Sequence, residues 1–461
     1  MFKVLKYLKE SKAAVAAIIA LLILQAYCDL ALPQFTADIV DIGIGQSGIE
    51  YAVPDYMREE TLEKLALSMD EEGEMLLRGS YRKTSDGIYE LSVKDEETIG
   101  RLNEKMEAPM AAFTFPSSEK IALDALSNSM ISQMAINGVK TEYEAMGINI
   151  ASVQTKYLLQ KGGLMLGLSV LMMIASIFAG LLAARTSAQI GRDLRGKVFH
   201  QVVSFSDGEM DRFSTASLIT RSTNDIQQIQ MVSVMLLRMV MYAPIVGIGG
   251  VIKVMNTRTG MGWIIAVAVL AIMLLVMTLM SIAMPKFKIM QTLVDKLNLV
   301  SREILTGIPV IRAFSRESFE EERFDKANKE LMGTQLFTNR VMTFMMPVMM
   351  MIMNGVTVLI VWFGAKGVDM GNLQVGDMLA FITYTMQIVM AFLMLTMISI
   401  MLPRAGVAAE RIEEVLRMDT AIRDKEETKD GLLKEVKGIV RFENVSFRYP
   451  GADEDALEGI D

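Results

Sequence analysis

Reactive side chains are scarce in this chain of 461 residues. The single histidine, His200, and the single cysteine, Cys28, leave little material for a Ser-His nucleophile, an intrachain disulfide or a thiolate metal cluster. No GxxxxGK(S/T) phosphate loop occurs, so the chain as given is not expected to hydrolyse ATP. No catalytic residue and no metal ligand is assigned. What the charged residues offer instead is mechanical work. The stretch SREILTGIPVIRAFSRESFEEERFDKAN, Ser301–Asn328, is too charged for lipid yet joins two runs free of charge, Gly260–Pro285 and Val341–Ala365. It predicts a helix, a turn marked by Gly307 and Pro309, and a second helix. A polar elbow between two membrane helices must touch something.

The elements that carry this elbow are apolar. The chain is 52% hydrophobic, with a mean hydropathy of +0.34, and a spanning helix needs about 20 apolar residues to cross about 30 Å of hydrocarbon. Six segments qualify: Ala13–Thr36, Gly162–Ala184, Met231–Ile252, Gly260–Pro285, Val341–Ala365 and Met378–Pro403. Asp29 interrupts the first and makes its outer end the least secure. Basic residues precede the first span (Lys3, Lys6, Lys9, Lys12), follow the second (Arg185, Arg192, Arg195, Lys197) and follow the fourth (Lys286, Lys288, Lys296). Lys and Arg gather in cytoplasmic loops, so both termini are expected inside, in a multi-pass protein of a bacterial plasma membrane. The first span has no clear small-residue cleavage site and reads as an anchor that stays in place.

Between the first two spans, Glu50–Lys156 holds 20 acidic and 11 basic side chains, a net of −9 against −8 for the whole chain. The acidity belongs to this insert, expected outside the cell. Arg58–Leu77 and Asp95–Met106 read as amphipathic helices, and YRKTSDGIYEL, with Asp86-Gly87 as its turn, reads as a hairpin. The insert is an acidic, solvated cap or a lid over an exit path.

From Gly162 to Ser206 a helix would run roughly 65 Å, about twice the bilayer core. Ser206 and Glu209 have capping-box spacing, so a short helix is expected after Ser206. Arg238 lies within the third span and either snorkels or lines a cavity; Pro244 is placed to kink that helix. Met386, Met390, Met394, Met397 and Met401 make one stripe on the sixth span, and Met345, Met346, Met349 and Met353 lie on the fifth. Flexible thioethers suit either sliding helices or the wall of a cavity for varied apolar compounds. After Pro403, RAGVAAERIEEVLRMD reads as a helix charged on one side, then a polar linker, then IVRFENVSFRYPG, which alternates from Ile439 as a strand entering a new domain.

Four stretches together carry a resemblance: GIPVIRAFSRE followed by FEEERFDKAN; DRFSTASLITRSTNDIQQIQ (Asp211–Gln230); RAGVAAERIEEVL (Arg404–Leu416); and IVRFENVSFRYPG (Ile439–Gly451). In their order along the chain they resemble ATP-binding-cassette (ABC) exporters of the half-transporter type, over the whole chain except Gly45–Lys156. The resemblance implies that both elbows are coupling helices docked on an ATPase domain. Phe213, Leu218, Arg221 and Asp225 fall in DRFSTASLITRSTNDIQQIQ, and Gly307, Arg312, Phe314, Arg316 and Glu317 in GIPVIRAFSRE. Tyr449 takes the position whose ring stacks on adenine. ATP and Mg are implied for the intact protein, of which this chain resembles a form cut off soon after its nucleotide-binding domain begins.

The expected fold is an all-α membrane protein of six transmembrane helices with long cytoplasmic extensions and coupling helices, a small α+β extracytoplasmic insert, and the first strand of an α/β ATPase domain. Its parts are residues 1–44 (N-terminus and first span), 45–157 (insert), 158–417 (spans two to six with coupling loops), 418–437 (linker) and 438–461 (start of the nucleotide-binding domain). The expected function is the transmembrane subunit of a dimeric exporter of amphipathic or drug-like compounds, paired with a second half-transporter, identical or different. Arg238, Met345, Met349, Met386, Met390, Met394 and Met397 are the cavity candidates. The expected partners are that second subunit, ATPase domains, membrane lipid and the transported molecule, with no nucleic acid. The alternatives are a lipid or peptide exporter of the same family and a membrane sensor whose insert binds a ligand.

Overall fold

The computed structural model describes residues 11–84, 87–113, 128–210, 212–257, 260–420, 438–449 and 452–461. Lys3, Lys6, Lys9, Asp86, Asp211, Gly451 and most of the expected linker lie outside them. The order is α1 (Lys12–Asp38), β1 (Tyr56–Arg58), α2 (Glu59–Ser68), α3 (Glu71–Ser80), β2 (Tyr81–Lys83), β3 (Ile88–Leu91), α4 (Glu96–Ala112), α5 (Asn128–Ala145) and α6 (Ile150–Val203). Then come α7 (Asp207–Met210), α8 (Thr215–Thr220), α9 (Ile226–Met235), α10 (Met241–Asn256), α11 (Gly262–Ala313), α12 (Glu317–Thr343), α13 (Met345–Asp369), α14 (Val375–Leu416), β4 (Val445–Phe447) and β5 (Leu457–Ile460). π-Helical segments follow α1 (Ile39–Gly45), α8 (Arg221–Asp225) and α9 (Leu236–Val240). Among the described residues six helical segments are long and apolar enough to cross a membrane, which makes this a multi-pass membrane protein.

The chain divides into two compact units, one built from Met1–Ala20, Phe178–Met241 and Met397–Asp461, the other from Leu21–Ile177 and Tyr242–Thr396. The described residues of the second form two cores. One is a membrane-type core of Ile264, Ala268 and Ile272 (α11), Val356 and Ile360 (α13), and Phe381, Tyr384 and Ile388 (α14), joined by Leu30 and Val246. Close helix approach is built on small residues: a Cβ added at Gly250 would stand 2.8 Å from Ile388 Cγ1. Asp41 accepts the amide of Gly376 at 2.6 Å, so a carboxylate holds the first turn of α14.

The other core belongs to the insert, where Leu62, Leu65, Leu77, Leu102, Met106, Met110 and Val139 close against one another. The expected hairpin is present, β2 pairing antiparallel with β3, and β1 adds a third strand on the free edge of β3. The expected single helix over Arg58–Leu77 is two helices. The Asp70 carboxylate accepts the Gly73 amide at 3.0 Å and so caps α3, ending α2 just ahead of it. Glu142 is buried and receives the Arg58 guanidinium at 2.7 Å, the Arg58 amide at 2.8 Å and the Thr61 hydroxyl at 2.8 Å. Burial raises this carboxyl, but those three donors outweigh it and hold it below the usual carboxylate range.

Two further expectations are corrected. Gly307 and Pro309 lie inside α11, and the turn falls later, at Phe314–Arg316, where Ser315 takes a φ of 49°. Proline removes one amide donor from a helix interior, but Pro309 is exposed, so water can satisfy the carbonyl it leaves unpaired. The strand expected from Ile439 begins only at Val445, after Asn444 at φ 47°; its antiparallel partner is β5.

Candidate functional site

The first elbow follows α6. Ser206 donates its amide and its hydroxyl to Glu209 Oε2, both at 2.7 Å, and the short helix α7 starts there as its spacing predicts. Phe213 is only 6% exposed and stacks on Phe205 with ring centroids 6.1 Å apart. The Arg221 guanidinium lies 4.7 Å above the Phe213 ring, donates to the Arg411 carbonyl at 2.9 Å and pairs with Glu414 at 2.7 Å. Leu218 is buried beside them, and Asp225 faces Arg411 at 3.8 Å. Phe213, Arg221 and Asp225 therefore converge, and Arg221 and Asp225 tie this elbow to the end of α14. Sequence reasoning missed Arg411 and Glu414, whose only signal was the one-sided charge of ERIEE.

The second elbow has the opposite character. It sits at the tip of α11, a helix of 52 residues, about 78 Å at 1.5 Å per residue and more than twice the hydrocarbon thickness. Arg312, Phe314, Arg316 and Glu317 are exposed, Phe314 by 74%, and Gly307 is half-exposed. The expected short coupling helix is absent here. A three-residue turn joins two long helices, because α12 resumes at once with Glu317 and Glu320 in its first turn, where acids are favoured. Ion pairs Lys296–Glu330 and Arg323–Glu303 pin α11 to α12 behind the turn. Between them lies a groove of about 500 Å³ floored by Ile304, Leu305, Ile308, Ile311 and Phe324 and rimmed by Arg312, Glu317, Glu320 and Glu321.

Met386 and Met353 line a narrow apolar crevice with Ile352, Val356 and Ile382. Met349 is buried, Met345 half-buried, and Met390 and Met394 exposed; the side chain of Met397 lies outside the described residues. Arg238 is exposed, its guanidinium carbon 3.8 Å from where a Cβ on Gly180 would stand. Tyr449 is 63% exposed and meets Phe447 edge-on at 4.9 Å, which leaves ring surface open for stacking.

Residues 128–392, more than half of the chain, match the model of the ABC transporter transmembrane region. The chain belongs to this family. This ABC transmembrane chain is 38% identical to an ABC transporter ATP-binding protein of Mycobacterium tuberculosis over 320 residues, 69% of this chain and 54% of that protein. It is 33% identical to the ABC transporter ATP-binding protein YfiB of Bacillus subtilis over 299 residues, 65% and 52% of the two chains. It is also 25% identical to the ATP-dependent lipid A-core flippase of Pseudomonas aeruginosa over 295 residues, 62% and 47%. The ABC transmembrane chain spans about half the length of these relatives.

Proposed function

We propose that this chain is the membrane-spanning part of one half of an ATP-driven exporter, working beside a second such subunit and moving amphipathic compounds outward. The observation that carries this reading is the second elbow: an exposed, tightly turned tip on two helical segments of 52 and 53 residues, each far longer than a bilayer crossing needs. A stiff helix passes a displacement at one end to the other, and a packed bundle answers by switching between arrangements. In this reading the elbows and both termini face the cytoplasm, Phe314 and Arg316 meet an ATPase domain, and ATP with Mg supplies the stroke in the intact protein. Tyr449 is its adenine-stacking residue. The first elbow, through Arg221 and Glu414, carries the stroke into α14. The partly exposed methionines of α13 and α14 provide adaptable apolar walls.

The name of the Pseudomonas relative favours a lipid as a second reading of the cargo. The test is flux in inside-out vesicles containing the intact protein. ATP-dependent accumulation of an amphipathic dye supports drug-like export, and ATP-dependent lipid movement without dye uptake supports the second reading. Ligand binding to the insert with no flux of either would replace both with sensing.

A further inference from the structure

The first span carries a carboxylate that neither elbow uses. Asp29 lies within α1, in the apolar run of a candidate span, and is half-buried. An ionisable group at such depth is costly and marks a functional site by default. Its neighbours are the tyrosine at the start of α10 and a glutamine in α14: Tyr242 donates its hydroxyl to Asp29 Oδ2 at 2.8 Å. Gln387 Nε2 donates to the Asp29 carbonyl at 3.2 Å and to Oδ1 at 3.3 Å. Three spans thus converge on one negative charge. Among the described residues no cation pairs with it. The other end of the same amide, Gln387 Oε1, is buried with no hydrogen-bond partner among the described residues, an expensive state for a carbonyl.

What this cluster lacks is donors, and positive ones. The Asp29 carboxylate and the orphaned Gln387 carbonyl are two acceptors beside one charge that no cation neutralises among the described residues; the Tyr242 oxygen is already met by the Gln25 side chain. An ammonium group carries three donors and one positive charge, and a charge-assisted bond inside a low-dielectric wall is stronger than a neutral one. A neutral donor answers the acceptors but not the charge, and an anionic cargo is repelled. We infer that Asp29, Gln387 and Tyr242 form an intramembrane site for the protonated amine of the transported molecule, making the preferred cargo cationic amphipaths. The inference rests on the export reading and narrows its substrate class.

The test uses the intact protein in nanodiscs without nucleotide, with two probes: a dansyl fluorophore on an alkyl chain ending in a primary amine, and the same compound N-acetylated. The amine is expected to bind at least about tenfold more tightly than its acetylated twin, one decade of affinity. Asp29→Asn, which keeps the side-chain shape, is expected to abolish that difference, and Asp29→Glu to restore part of it. Gln387→Leu is expected to weaken only the amine. Equal binding of both probes by the unaltered protein overturns the inference, as does an Asp29→Asn protein that melts normally and still prefers the amine. ATP-driven flux in vesicles is scored separately: amine selectivity without flux would sink the export reading and leave the site standing, whereas flux without selectivity would do the reverse.

Discussion

The two elbows of this molecule share a sequence style, charged and punctuated by small residues, yet the chain uses them differently. At the first, Phe213 is enclosed, Arg221 covers it, and Glu414 and the Arg411 carbonyl complete the knot. At the second, Phe314 stands in the open with Arg312, Arg316 and Glu317 around it. One elbow is finished within its own chain; the other is a tip with apolar surface and a groove behind it. Exposed aromatic and arginine side chains are characteristic anchors of protein interfaces. Under the proposed reading, a coupling motif read from sequence contains residues of two kinds, those that build the lever and those left exposed to meet an ATPase domain.

The sharpest way to break this contrast is a pair of alanines. Phe213→Ala removes a buried ring and should cost roughly 3–5 kcal/mol of stability, read as a large fall in melting temperature. Phe314→Ala should stay within about 0.5 kcal/mol while ATP-driven transport by the intact protein collapses. If the Phe314 variant melts as badly as the Phe213 variant, the two elbows are alike and the contrast fails. Next in size is Arg221→Met. It loses the Glu414 pair, the bond to the Arg411 carbonyl and the contact with Phe213, and should cost about 2 kcal/mol. Glu414 is largely exposed, so no stranded buried charge adds to that figure.

Acid offers a smaller effect that sets the insert apart from the second elbow. The Glu142 carboxyl is held below its usual range, so its contribution is present above the unfolded value and is lost as pH falls through the lower folded one. The insert should therefore loosen in acid below about pH 4.5, and Glu142→Gln should flatten that profile. Glu330 is shifted in the same direction by Lys296, but in an exposed pair, so the helix pair behind the second elbow should respond much less. Amide exchange followed against pH in both regions checks this. The smallest effect is expected at Arg323: with both partners near half-exposed, Arg323→Gln should cost about 0.2–1 kcal/mol, less in high salt.

Much of this architecture was legible in the residues. Long apolar runs located the six spans, the Ser206–Glu209 spacing located α7, and the hairpin strands β2 and β3 lie where YRKTSDGIYEL placed them. What could not be read has physical reasons. Pro309 looks like a breaker, but an exposed proline in a helix pinned by Lys296–Glu330 and Arg323–Glu303 is tolerated, so the turn moved to Ser315. The Asp70 cap that splits α2 from α3 is a single side-chain bond inside a continuous amphipathic pattern. The Arg221–Glu414 pair joins residues far apart in sequence, and no periodicity announces it. Asp29 was visible as an interruption; its partners Tyr242 and Gln387 were not, because helix packing alone brings them together.

The most direct measurement is a crosslink from the tip of the second elbow. In the intact protein a Phe314→Cys substitution, with the one native thiol, Cys28, buried, should crosslink to a cysteine placed on the ATPase domain surface. The yield should change between nucleotide-free and ATP-bound states. A protein that still transports but never yields that crosslink would contradict the claim that this elbow couples the membrane bundle to its ATPase.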